Sequence, residues 1–168
     1  MPVTGNNLPY TFTPKAVLVP SAFFSPEGAR AALEDVVSLE PEDVVEYVEE
    51  PEYGAVMVYS IPFGGEEGSG LLPELHHVLG DLSRCAEYNK IVCSWGFGHL
   101  YMAVARGRNL LLCNVFEARD FTTAEYFIFL ALSKLQLNPE LSTIAFRTPL
   151  APEQEMSLYR YFKAVEQF

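Results

Sequence analysis

Three apolar runs joined by very short connections constrain the fold of this chain more than any other feature of its sequence. The runs are Lys90–Trp95, His99–Ala105 and Leu110–Phe116, and each predicts a strand. The connections are Gly96-Phe97-Gly98 and Arg106-Gly107-Arg108-Asn109. Because connections this short permit only antiparallel pairing, the three runs predict an antiparallel meander.

A helix, a strand and a second helix are predicted to follow the meander. Thr122-Thr123-Ala124-Glu125 has the pattern of a capping box, which predicts the start of a helix that continues to Leu137. That helix is apolar on most sides, so we expect it to pack on two faces. Ser142–Phe146 predicts a strand parallel to a neighbour, since a helical crossover precedes it. Ala151-Pro152-Glu153 predicts the start of a last helix that carries Met156, Tyr159, Phe162 and Val165.

From Lys90 onward the predicted order is therefore β-β-β-α-β-α. This order is typical of a ribonuclease-H-like unit, and two such units build the actin-like ATPases and the sugar kinases. The predicted class is α/β with a mixed sheet.

Fewer elements are predicted before the meander. Strands are expected over residues 15–19, 43–48 and 54–61, and Ser25-Pro26-Glu27 predicts the start of a helix over residues 26–37. The glycine-rich residues 64–70 predict a linker. We therefore expect an abbreviated N-terminal half over residues 1–63 and a C-terminal half over residues 71–168, whose first element is a helix over residues 71–88.

Five segments of the chain resemble an uncharacterised bacterial family, domain of unknown function 3822. The similar segments include an Asn-x-Phe at a strand end, an aromatic-rich helix and a Gln-Leu-x-Leu helix end; they are residues 110–116, 120–127, 135–139, 17–24 and 58–62. The resemblance implies a degenerate actin-like fold of two ribonuclease-H-like halves. Members usually begin with an additional meander of strands before the strand at residues 15–19, and the resemblance implies that this meander is missing here. We expect the shortened sheet to expose an edge that a second copy of the chain covers.

Charge is distributed unevenly along the 168 residues. The net charge is −11, with 22 acidic and 11 basic residues. Residues 1–83 contain 14 of the acidic residues but only two basic ones, Lys15 and Arg30. No basic stripe for nucleic acid is visible, and an acidic face disfavours anionic membranes. The sequence begins without a signal-peptide pattern and has no apolar run long enough to span a bilayer, so a cytoplasmic location is expected.

Known chemistries of this fold need residues that the pattern does not supply. An actin-like ATPase holds metal and phosphate with an Asp-x-Gly type loop, but the corresponding turn, Cys93–His99, has no carboxylate. Two-metal nucleases need carboxylates on the central strands, and residues 90–116 contain neither Asp nor Glu. The three cysteines have no disulfide or zinc spacing. We therefore expect no enzyme activity, no cofactor and no metal.

Two surfaces remain as candidates for binding. The first is a ligand cleft for a small molecule or nucleotide, formed by Ser94, Trp95, Gly96, Gly98, His99, Asn114, Glu117 and Asp120. The second is an acidic face for a basic protein partner, formed by Glu42, Asp43, Glu46, Glu49 and Glu50. The leading hypothesis is a non-catalytic interaction or scaffold protein, and the alternative is a protein that binds a ligand in the cleft. A deep polar pocket at residues 94–99 would favour the ligand, whereas filling by Trp95 and Phe97 would favour the interaction protein.

Overall fold

A computed structural model describes residues 8–61 and 70–168. The contacts between residues divide the chain into two compact units, residues 1–76 and 77–168. The predicted linker lies outside the described residues except for Gly70, and residues 71–76 fall in the first unit.

The first unit contains a three-stranded antiparallel sheet and two short helices. The helices are α1 (Leu8–Thr11) and α2 (Ala29–Glu34), and the strands are β1 (Ala16–Pro20), β2 (Glu46–Glu50) and β3 (Ala55–Tyr59). The strand order is β1-β3-β2, and every residue of the central strand is buried. Four buried side chains form the centre of the small core, namely Ala29, Leu33, Val56 and Val58.

Two predictions for this unit are wrong in their bounds. The helix expected from residue 26 begins at Ala29, because both the hydroxyl and the carbonyl oxygen of Ser25 accept from the backbone N–H of Gly28 and close a turn. The strand expected over residues 43–48 begins later, at Glu46. Asp43 instead folds back, and its carboxylate accepts from the backbone N–H of Glu40 at 2.8 Å.

The second unit contains a five-stranded mixed sheet in the order β6-β5-β4-β7-β8. The strands are β4 (Asn89–Gly96), β5 (His99–Arg106), β6 (Asn109–Glu117), β7 (Thr143–Phe146) and β8 (Ala164–Gln167). The strands β4, β5 and β6 form the predicted antiparallel meander, and β7 lies parallel to β4 as predicted. The ribonuclease-H-like order is thus confirmed.

Three helices accompany this sheet in sequence. The helix α3 (Glu74–Gly80) precedes β4, α4 (Phe121–Lys134) joins β6 to β7, and α5 (Pro152–Tyr159) joins β7 to β8. Ala124, Ile128 and Leu132 form the buried stripe of α4. They pack in the core together with side chains of β4 and β5, among them Ile91, Cys93, Leu100, Met102 and Val104. No helix in residues 8–61 and 70–168 is long and apolar enough to cross a membrane.

The ends of these helices differ from the predictions. The helix α3 stops at Gly80 and is followed by a 3-10 turn over Asp81–Arg84, so the helix predicted over residues 71–88 is wrong in length. The helix α4 is capped by Asp120, whose carboxylate accepts from the backbone N–H of Thr123 at 2.7 Å, rather than by the predicted capping box. It ends at Lys134, and Gln136 then adopts a left-handed conformation with φ 59°.

The last predicted helix also ends early. It stops at Tyr159, and Val165, which we placed on it, lies in β8 opposite Ile144. The strand β8 runs parallel to β7, so the observed order of the second unit is β-β-β-α-β-α-β.

Candidate functional site

Trp95 occupies the space at the turn where the ligand cleft was predicted. Its backbone N–H donates to the hydroxyl of Thr148 at 2.9 Å, and its indole N–H donates to the carbonyl of Ala118 at 2.9 Å. The indole also packs edge-on against Phe121, with ring centroids 5.5 Å apart. The side chain therefore joins the end of β4 to the segment between β6 and α4.

The β4–β5 connection is a two-residue hairpin turn. Gly96 pairs with His99, and the central residues Phe97 and Gly98 both have positive φ, of 52° and 82°. Positive φ at both positions defines a type I′ turn, which favours Asn or Gly at the first position. The residue at the first position here is Phe97, and its side chain is 58% exposed. Ser94, which lies in β4 two residues before Gly96, is fully buried.

Most of the predicted cleft residues lie at the β4–β5 turn and the adjoining end of β6, but Asn114 does not. His99 and Glu117 are cross-strand neighbours, but Asn114 lies opposite Met102, further along the sheet. Glu117 is exposed and pairs with Arg119 at 3.3 Å. Asp120 caps α4, and the backbone N–H of Thr123 holds the pKa of its carboxyl below the ordinary value. These contacts give each carboxylate a local structural partner.

Burial changes the acidity of two cysteine thiols in the second unit. Burial raises the pKa of the Cys93 thiol, so it stays protonated at neutral pH. Burial likewise raises the pKa of Cys85 to about 11. Within residues 8–61 and 70–168, no group of three or more His, Cys, Asp or Glu side chains is arranged to hold a metal ion.

The predicted acidic face is broken up by internal ion pairs. Lys15 Nζ donates to the Asp43 carboxylate at 2.6 Å, and the buried Glu50 pairs with His76. Glu46 is half-buried, which leaves Glu42 and Glu49 as the exposed acids of this set. Two of the five carboxylates are therefore held in ion pairs within the chain.

A different feature stands out in the second unit, at the outer strand of its sheet. The strand β6 is the first in the order β6-β5-β4-β7-β8, so only β5 pairs with it in the described part of the chain. Its sequence is NLLLCNVFE, and its residues are half-buried or exposed throughout. An apolar outer strand of nine residues is unusual, because unpaired strand edges recruit other strands.

The register shows which backbone groups of β6 point outward. The N–H of Ala118 donates to the carbonyl of Gly98, one residue beyond the His99–Glu117 pair. In an antiparallel ladder this makes His99–Glu117 a pair without mutual hydrogen bonds, and the type alternates along the strand. The backbone N–H and C=O groups of Cys113, Val115 and Glu117 therefore point away from β5.

An apolar groove runs beside this edge, between β6 and α4. Its volume is about 290 Å³. Leu112, Asn114 and Phe116 line it from β6, and α4 with the following residue contributes Phe127, Leu130, Ala131, Lys134 and Leu135. Phe116 stacks on Phe127 at the end of the groove, with centroids 5.1 Å apart. Among the described residues that line the groove, Lys134 carries the one charged group.

The outward side of α4 continues the apolar surface. Phe129 packs against Tyr161 and Phe162, which covers the flank of the helix toward the residues after α5. Tyr126, by contrast, is 60% exposed, and Leu130 is half-buried in the groove. The helix α4 thus packs on two faces as expected, one against the sheet and one through Phe129. Its side next to the groove remains accessible.

The groove was not among the predicted sites, although the sequence shows the two features that form it, an apolar strand and a helix that is apolar on most sides. The run Leu110-Leu111-Leu112-Cys113 was predicted as part of the third strand of the meander, and α4 was expected to pack on two faces. Asn114 alone belongs both to the predicted cleft and to the groove.

A family of proteins of unknown function, DUF3822, matches residues 77–165, which is more than half of the chain. The chain belongs to this family. The DUF3822 match covers all of β6 and α4 and therefore the whole groove. No curated protein matches the chain.

A solved structure shows the fold of this DUF3822 protein. A protein of unknown function with an actin-like ATPase fold, from Bacteroides thetaiotaomicron VPI-5482, is 15% identical to it with a TM-score of 0.76. The similarity covers 93% of this chain and 65% of the Bacteroides chain. A chain of a PilM-PilN type IV pilus biogenesis complex is also 15% identical, with a TM-score of 0.46 over 91% of this chain and 65% of that one. The Bacteroides structure confirms the actin-like fold implied by the sequence. The chain spans about 65% of the length of either structure.

Proposed function

We propose that this protein is a non-catalytic interaction module that binds an extended, apolar segment of a protein along β6. The observation that carries the proposal is the coincidence of an outer strand and an apolar groove on the same edge. An extended segment that adds to β6 forms backbone hydrogen bonds along its outward edge, and every second side chain of that segment enters the groove.

The chemistry of the groove defines the segment. Leu112, Leu130 and Ala131 provide an apolar wall, so aliphatic or aromatic side chains at alternate positions fit it. Lys134, near the start of β6, favours an acidic residue or a chain terminus at that end. The exposed Asn109 and Glu117 at the two ends of β6 give the site a polar rim.

The non-catalytic part of the proposal is supported by the turn at residues 95–98. In an ATPase of this fold that region approaches the phosphates, whereas here the Trp95 indole is committed to Ala118 and Phe121. The Cys93 thiol next to it is buried and protonated.

A displayed library of random extended peptides tests the binding proposal. We expect selection on the wild-type chain to enrich peptides with apolar residues at alternate positions. Their affinity is then measured by fluorescence anisotropy for Leu130→Glu, which places a charge in the groove, and for the matched control Leu141→Glu. Leu141 is 73% exposed in a 3-10 turn outside the groove.

The expected result is a loss of about tenfold or more in affinity for Leu130→Glu and an unchanged affinity for Leu141→Glu, since a buried unpaired charge costs more than 1.4 kcal/mol. If no peptide is enriched, or if enriched peptides bind both variants equally well, the proposed docking site is wrong.

A further inference from the structure

We infer that the segment which binds along β6 is the C-terminal end of a partner protein, antiparallel to β6, with its free carboxylate beside Lys134 and Arg106. The inference rests on the proposed function and narrows the extended segment to a chain terminus. Such a terminus combines an apolar strand of about six residues with a negative charge at its end. The groove has a matching feature for each of these two parts.

The helix α4 runs back along β6, which defines two ends of the groove. Phe116 stacks on Phe127 at one end, close to the segment that joins β6 to α4. Leu112, Lys134 and Leu135 lie at the other end. A helix rises about 1.5 Å per residue and a strand about 3.3 Å, so the 14 residues of α4 extend along about six residues of β6. The last turn of α4 therefore lies near Leu112.

Cations collect at the Leu112 end of the groove. Lys134 lines the groove itself. Met102 and Val104 of β5 pack in the core with α4, and because side chains alternate along a strand, Arg106 lies on the same face of the sheet. Val104 faces Leu112, so Arg106 is about 7 Å further along the edge. Neither Lys134 nor Arg106 forms an ion pair with the part of the chain that the structure describes.

The two ends of the groove differ in charge, and this difference determines the direction of the bound segment. At the Phe116 end, Glu117 pairs with Arg119 at 3.3 Å, so the two charges offset each other. An antiparallel segment has its C-terminal end beside Lys134, where the carboxylate meets a cation. A parallel segment would bring its N-terminal ammonium to the same cation, which is unfavourable.

A β-bulge at the cationic end limits how far an added strand pairs. Leu110 and Leu112 face consecutive residues of β5, so Leu111 between them has no opposite residue there. Bulges interrupt the hydrogen-bond ladder and turn an edge away from regular pairing. An added strand therefore pairs with residues 112–117 and stops at the bulge. A chain terminus fits this stop, whereas an internal segment has to leave the edge there.

The carbonyl groups in the last turn of α4 are largely occupied. Those of Ala131, Leu132 and Ser133 accept hydrogen bonds from the backbone N–H groups of the three residues that follow the helix. Free carbonyls carry the negative end of a helix dipole, so these bonds reduce the repulsion that a carboxylate meets at this end. The ammonium of Lys134 then makes the position favourable for an anion.

Two displayed libraries test the role of the terminus. Both present the same random segments, one with a free C-terminus and one followed by a flexible linker to the carrier. We expect enrichment from the first library only, with apolar residues at alternate positions. An enriched sequence is then synthesised as the free acid and as the C-terminal amide. In fluorescence anisotropy the amide should bind about tenfold or more weakly, because it loses a charge-assisted contact.

The variant Lys134→Gln tests where the carboxylate binds. It should lower the affinity of the free acid about fivefold or more and leave the affinity of the amide unchanged, since the amide carries no charge at that end. Lys163→Gln removes an equal charge from an exposed residue outside the groove and should change neither affinity. An equal loss for acid and amide in Lys134→Gln would overturn the inference, because Lys134 would then act on the groove rather than on the carboxylate.

The outcomes separate this inference from the proposed function. If the linker library also yields peptides, and acid and amide bind equally well, the chain terminus is wrong and the proposed function stands. Equal effects of Lys134→Gln and Lys163→Gln on the free acid also overturn the inference, because they indicate attraction to the general charge of the protein. Enrichment from neither library overturns both proposals.

Discussion

The side-chain oxygen of Asn114 accepts a hydrogen bond from the backbone N–H of Val115, at 2.8 Å. That N–H points away from β5, into the position where an added strand would bond. Asn114 therefore occupies one of the hydrogen-bonding positions of the edge with an acceptor from the same chain, which is a means of limiting unwanted strand addition.

Replacing this residue should strengthen pairing at the edge. In Asn114→Ala the Val115 N–H loses its internal acceptor, and an added strand no longer has to displace it. We expect the affinity for a selected peptide to rise about fivefold, as one hydrogen bond contributes about 1 kcal/mol. Asn114→Asp keeps an acceptor at the same position and is the control. Equal affinities for the wild type and Asn114→Ala would show that the bond does not compete with docking.

Phe97 should be replaceable with a gain in stability. Its φ of 52° is strained for an aromatic residue, whereas Asn tolerates this region and Asn-Gly is the preferred sequence of a type I′ turn. Phe97→Asn should raise the free energy of unfolding by about 1 kcal/mol, measured by urea titration. Phe97→Val, which is β-branched, should lower it. A loss of stability in Phe97→Asn would mean that the aromatic ring contributes more than the strain costs.

Trp95→Phe should destabilise the second unit. The substitution keeps a ring against Phe121 but removes the indole donor, and the carbonyl of the fully buried Ala118 loses that bond. The expected loss is about 1–2 kcal/mol in urea titration. Tyr126→Phe removes a polar group from a ring that is 60% exposed and should change stability little. A comparable loss in both variants would contradict a specific role for the indole bond.

The ion pair between Lys15 and Asp43 predicts a pH dependence of stability. The bond from Lys15 holds the pKa of Asp43 below its ordinary value of 3.8, and the N–H of Glu40 adds to this effect. Because the folded pKa is lowered, the stabilisation is present above the ordinary pKa and is lost as the pH falls through the lowered value.

Asp43→Asn should therefore lower the free energy of unfolding at pH 7 by about 1 kcal/mol, and the difference from the wild type should vanish in strong acid. The exposed Glu42→Gln is the matched control and should show neither effect. A difference that is constant with pH would indicate lost packing rather than lost charge.

Mg-ATP should leave the thermal unfolding midpoint unchanged. A ligand at about 100 times its dissociation constant adds about 2.7 kcal/mol, which would raise the midpoint by several degrees. Parallel titrations with ADP and GTP complete the comparison. A dose-dependent rise would overturn the non-catalytic proposal and restore a nucleotide site in spite of the Trp95 contacts.

Much of the second unit could be predicted because its determinants are local. Turns as short as Phe97-Gly98 and Gly107-Arg108 allow only antiparallel neighbours, and the crossover through α4 makes β7 parallel to β4. The strand β8 was missed because Ala164–Gln167 has four residues and makes its pairing only with β7. Nothing within those four residues separates a short strand from a helix end.

The arrangement of the predicted cleft could not be predicted for a different reason. Its residues lie near one another in the sequence, but the register sets Asn114 opposite Met102 while Glu117 faces His99. The short contacts of Trp95 with Ala118 and Thr148, which fill the turn, join residues 23 and 53 positions apart. Such contacts leave no periodic signal in the sequence.

Patterning within the chain thus determined the strands, the turns between them and the order of the elements, because backbone hydrogen bonding and steric limits act over a few residues. The tertiary structure alone decided that β6 is the outer strand and that the side of α4 next to it faces a groove. An apolar strand has the same sequence whether it lies at the centre or the edge of a sheet, and only the presence or absence of a neighbouring strand distinguishes core from docking surface.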